Sequence, residues 1–114
     1  LARANINDNT LQQRFRIIEG DLCRIREFMQ PESYDLVISN PPYRRPGSGR
    51  INRENECALA RHELAANLNA VVLAAAFCVK NRGHLVCIYP ADRLATLISV
   101  MYEHRLVPKR LQPV

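Results

Sequence analysis

The sequence predicts an α/β fold built on a parallel sheet. Short apolar runs alternate with longer stretches of helical composition, and turn residues stand at the junctions. The clearest runs are Tyr34-Asp35-Leu36-Val37-Ile38-Ser39 and His84-Leu85-Val86-Cys87-Ile88-Tyr89. A long Ala- and Leu-rich stretch separates them, enough for the helical crossover that parallel strands require. At 114 residues the chain is one domain at most.

The elements follow in order. Leu1 to Asn9 reads as the end of a helix, and Arg16 to Glu19 as a strand. Leu22 to Phe28 reads as a polar helix or turn, broken by Pro31. The apolar run from Tyr34 is a buried strand closed by Asn40-Pro41-Pro42-Tyr43. Arg44 to Arg53 is a loop containing Pro46, Gly47 and Gly49. A helix is expected from about Ala58 or Arg61 to Lys80, with Gly83 able to take a left-handed cap. The strand His84 to Tyr89 and an amphipathic helix Asp92 to Glu103 come next. Leu106 onward reads as a further strand, which Pro108 and Pro113 confine to an edge or loop.

Composition narrows the partners. Apolar residues make up 47% of the chain, enough for a core if the sheet is completed. Net charge is +5, and it comes from fourteen arginines against two lysines. Guanidinium forks suit phosphate oxygens, which points to nucleic acid, although a modest positive charge is common in globular chains. The longest apolar stretch, Leu68 to Val79, is too short for a membrane span and holds Asn69. Cys23, Cys57, Cys78 and Cys87 are widely spaced with no C-x-x-C pair. Cys78 and Cys87 lie in apolar runs and read as buried thiols, so a reduced cytoplasm fits best. No His/Cys spacing suggests a metal site.

Asn40-Pro41-Pro42-Tyr43, directly after a strand, resembles the active-site signature of class I methyltransferases that use S-adenosylmethionine (AdoMet) on a planar amino or amide nitrogen. Ala60-Arg61-His62-Glu63-Leu64, after a Gly- and Arg-rich loop, resembles the bacterial tRNA (adenine-N6) methyltransferases, which modify the adenine beside the anticodon of a valine tRNA. The resemblance implies a Rossmann-like class I sheet, present here in part. It also implies site roles. An exocyclic amine delocalised into its ring is a poor nucleophile. Asn40 would accept one of its N–H bonds and the Pro41 carbonyl the other, holding the nitrogen in line with the methyl donor. Pro42 would shape the turn, and Tyr43 would stack on the flat substrate. Arg16-Ile17-Ile18-Glu19-Gly20-Asp21-Leu22 resembles the family's third strand and the acidic loop behind it. There Asp21 would bind the adenine amino group of AdoMet and Leu22 would flank the ring, with Asn40 touching both cofactor and substrate.

One departure is large. The family's glycine-rich loop after the first strand is absent, as is the acidic residue after the second strand. The chain has only Gly20, Gly47, Gly49 and Gly83, none in a G-x-G-x-x-G turn. Residues 1–114 therefore read as the C-terminal portion of a methyltransferase catalytic domain, with the first two strands lying outside this chain. In the family those two strands lie between the third and the fourth. Without them the edges of both are unpaired. The missing strands would fill them, or a second copy would pair there as a homodimer, or the piece would rearrange.

The loop beside the motif carries Arg44, Arg45, Arg50 and Arg53 and no acid. It reads as a clamp for phosphates flanking a flipped adenine, or as a solvated loop whose charge aids solubility. His62 and Glu63, at a helix start, read as capping or surface groups, because methyl transfer to an amine needs no dedicated base. Asp35 reads as a local pairing group. Three other functions share features with this chain. A release-factor glutamine methyltransferase uses the same tetrapeptide, and a ribosomal-RNA guanine-N2 methyltransferase a similar one. A non-catalytic RNA-binding or partner module would bind no AdoMet.

Overall fold

A computed structural model of the protein describes residues 2–41 and 55–113; between 55 and 65 it describes the backbone alone. Among the described residues two parallel strands and three α-helices form the frame. They are α1 (Ala2–Asp8), β1 (Tyr34–Ser39), α2 (Asn55–Cys78), β2 (Val79–Cys87) and α3 (Leu94–Glu103), with short 3-10 turns at Leu22–Glu27 and Ala91–Arg93.

β1 pairs with β2 in parallel, with Leu36 opposite His84, Val37 opposite Leu85, Ile38 opposite Val86 and Ser39 opposite Cys87. The register is irregular below that point, where Tyr34 pairs with Val79 and the chain makes an excursion through Lys80–Gly83 before true pairing resumes. Gly83 does not cap α2, which ends at Cys78; the left-handed residue here is Arg82, within β2, with φ of 67°. Gly83 is needed for a different reason. A Cβ there would stand 2.8 Å from Val79 Cγ2 and 3.0 Å from the carbonyl oxygens of Asp35 and Lys80. Beside this turn Lys80 Nζ donates to Asp35 Oδ1 at 2.8 Å, a pairing across the two strands in place of the local one expected of Asp35. That hydrogen bond, and then the ammonium charge itself, hold the Asp35 carboxyl below its ordinary range.

α2 is longer than its predicted start at Ala58 or Arg61, and gives way directly to β2. Its apolar stripe recurs at Leu68, Val72 and Ala75, the spacing of one helix face, and all three are buried. α3 contributes Leu97 and Val100, also buried. Leu68, Val72, Leu97 and Val100 form the core, with Cys87, Tyr89, Met101 and Leu106 packed against it. His104 Nε2 donates to Asn69 Oδ1 at 2.6 Å, tying the end of α3 to α2. Cys78 is buried and Cys87 half-buried, and burial pushes both thiols up. Cys23 is exposed.

Two predicted strands do not form. Arg16–Glu19 has no strand neighbour among the described residues, and without a ladder it stays irregular. Phe15 and Ile17 stand exposed as a result. It does not pair with β1. Past α3, the Leu106 N–H turns back to the Met101 carbonyl at 2.8 Å, and Pro108 removes a donor, so no strand follows among the described residues.

Among the described residues the sheet is covered on one face only. Val37, Ser39, Leu85 and Cys87 point toward the helices, whereas Leu36, Ile38, Val86 and Ile88 alternate to the open face and are 47–67% exposed. No helix among the described residues is long and apolar enough to cross a membrane.

Leu68→Ala is expected to destabilise the protein by about 2–5 kcal/mol, read as a lowered midpoint in urea. Asp35 has its carboxyl depressed in the folded state, so its contribution is present above the ordinary carboxylate range and fades as pH falls through it. Asp35→Asn should therefore melt slightly below the wild type near neutrality, and the gap should close below about pH 4. A gap in Tm that is constant with pH would show that the Lys80 contact has no energetic role.

Candidate functional site

Asn40 and Pro41 sit where β1 runs out, at the carboxyl end of the parallel pair. The last ladder bond is the Ile88 N–H donating to the Ser39 carbonyl at 3.1 Å. Pro41 has no N–H, so it cannot add the next bond on that edge. The alternation of the strand continues for two residues: Ser39 is half-buried, Asn40 exposed and Pro41 fully buried. The amide of Asn40 is thus presented to the open side from an anchored backbone.

Asp21 and Leu22 lie at the start of the 3-10 turn. Asp21 Oδ1 accepts from the Cys23 N–H at 2.9 Å, the bond of an N-cap. Its second carboxylate oxygen has no hydrogen bond among the described residues. Leu22 is 45% exposed. Pro42, Tyr43, Arg44, Arg45 and Arg50 lie outside the described residues, as do the side chains of His62 and Glu63. The structure therefore brings only Asn40 and Pro41 of the predicted tetrapeptide into view. The sequence alone does not single out Ile88, whose N–H bonds Ser39, or Tyr89, which follows it and packs on the core. Their signal was the position of Tyr89-Pro90 at the end of the second apolar run, matching Asn40-Pro41 at the end of the first.

An open crevice of about 270 Å³ lies elsewhere, lined by Arg26, Leu73, Phe77, Glu103, His104 and Arg105. The Arg26 guanidinium stands 5.2 Å from the centre of the Phe77 ring. Phe77 and Cys78 are bonded through their carbonyls to Glu32 and Ser33, which lead into β1. The crevice is thus at the amino end of the strand, about 20 Å from Asn40 by strand length. The C-terminal ends of α2 and α3 meet at this crevice, through Phe77 and through Glu103 and His104. Among the described residues no three His, Cys, Asp or Glu side chains are grouped to hold a metal ion.

Comparison with known proteins adds to this geometry. The chain is similar to bacterial tRNA1(Val) (adenine(37)-N6)-methyltransferases. It is 30% identical over 115 residues to the protein of that name from Porphyromonas gingivalis W83, covering 99% of this chain and 44% of the relative. The Haemophilus influenzae PittGG protein is 34% identical over 100 residues, covering 86% of this chain and 40% of its own length. That of Tolumonas auensis is 33% identical over 99 residues, covering 87% and 39%. The chain thus spans less than half the length of these curated relatives. No family model matches it.

Proposed function

We propose that this chain is part of a class I AdoMet-dependent methyltransferase domain with a Rossmann-like sheet, and that the protein methylates N6 of an adenine in tRNA. The observation that carries the proposal is Asn40-Pro41 at the carboxyl end of a parallel strand, in a chain similar almost end to end to enzymes named for that reaction. In open parallel sheets ligands bind outside the carboxyl ends of the strands. β1 and β2 stand for two adjacent strands of the sheet, and the free edge of β1 is where further strands of the domain, or a second copy, would pair.

The cofactor supplies an electrophilic methyl group on sulfonium. The chain's residues do the rest. Asn40 Oδ1 accepts one amine N–H, and the Pro41 carbonyl accepts the other. Pro42 fixes the turn, and Tyr43 stacks on the adenine. Asp21 fits the adenine end of AdoMet because one carboxylate oxygen is left over from capping, and the exposed Leu22 offers an apolar edge to the ring. Nothing in this chain matches the glycine-rich loop for the methionine end. Arg44, Arg45 and Arg50 contact RNA phosphates. A tRNA substrate and free thiols suit a reduced cytoplasm.

The full-length protein, given labelled AdoMet and offered undermodified tRNA, ribosomal RNA and release factor in parallel, should yield N6-methyladenosine in tRNA by mass spectrometry. Methylglutamine would move the substrate to a peptide, and absence of both product and AdoMet binding would leave a binding module. Asn40→Ala is expected to cost kcat about a hundredfold or more while AdoMet affinity changes little. Equal losses in both would contradict its role. Arg44→Ala combined with Arg45→Ala should weaken RNA binding and flatten the log–log salt slope by about one to two. An unchanged slope counts against phosphate contact.

A further inference from the structure

We propose that Tyr89 is a positioning residue for the Asn40–Pro41 peptide. The inference rests, for its catalytic arm, on the function proposed above. The backbone ladder between the strands stops at the bond from Ile88 to Ser39, because the next donor on that edge of β1 would be the N–H that Pro41 lacks. Side-chain packing must therefore fix the two residues that follow. Extending the pairing of Ser39 with Cys87 sets Ile88 opposite Asn40 and Tyr89 opposite Pro41. The facing agrees. Cys87 and Tyr89 both pack on the core of Leu68, Val72, Leu97 and Val100, and Pro41 is fully buried. Asn40 and Ile88 are exposed on the other side, Ile88 by 65%.

Tyr89 and Pro41 thus share the covered face just beyond the end of the ladder. The tyrosine ring, seated on the core, is the bulky group in register with the proline. It fixes the direction of the Pro41 carbonyl and of the Asn40 amide. Filling that place is a matter of shape, so the ring is needed and the hydroxyl is not.

The test uses the full-length protein with Tyr89→Ala, Tyr89→Phe and Val100→Ala. Val100 belongs to the same core but stands farther along α3, so it controls for lost stability alone. Below the melting range, Tyr89→Ala should lower kcat about tenfold to a hundredfold with the KM for AdoMet little changed. Tyr89→Phe should restore it, and Val100→Ala should leave kcat intact. Independently of activity, hydrogen exchange at the Ile88 amide should accelerate about tenfold in Tyr89→Ala and not in the other two. Unchanged Ile88 exchange in Tyr89→Ala, or equal losses in Val100→Ala, would reduce Tyr89 to a core filler and overturn the proposal. A wild type that methylates no substrate would fail the proposed function instead, and the exchange measurement would still decide the role of Tyr89.

Discussion

The parallel pairing of β1 with β2 is the constraint on which the rest of this chain depends. Parallel strands are joined by a crossover, so α2 runs back along the sheet and brings its stripe of Leu68, Val72 and Ala75 onto one face. α3 repeats the return, and Leu97 and Val100 close the core. The same pairing decides where the chemistry sits. Both strands point their carboxyl ends the same way, and Asn40 stands at that end.

Pro41 links fold and site. By withholding an N–H it ends the ladder, and by being buried it anchors the chain beyond the ladder. An exposed amide on an anchored backbone is what a weakly nucleophilic amine needs from its enzyme: a fixed acceptor that costs nothing to reorganise when the amine arrives.

Much of this was legible in the sequence because it was local. The run Tyr34 to Ser39 is a strand with the bounds expected, since an apolar stretch closed by Asn-Pro has few other conformations, but it is not the buried strand expected, because none of its six residues is buried. α3 ends at Glu103 as expected, although a 3-10 turn replaces its first residues. Arg16–Glu19 and the residues from Leu106 were misread for a non-local reason. A strand exists only if a neighbour accepts its backbone groups, and neither segment has one among the described residues. Asp21 was read for a cofactor role, and the structure gives it a cap as well, which composition could not distinguish. The site was legible as far as Asn40 and Pro41; its aromatic and arginine parts lie outside the described residues.

The one-sided sheet has a colloidal consequence. Leu36, Ile38, Val86 and Ile88 form an apolar panel in water, and a panel of that kind favours self-association. What opposes it is the surplus of arginine, +5 for the whole chain. Over the described residues it is repulsion rather than coverage that opposes association. Added salt weakens the repulsion, whose range is about 10 Å at 0.1 M, while sulfate or phosphate strengthens the apolar attraction. Ionic strength thus acts on the solubility of this chain from both sides at once, always toward the aggregate.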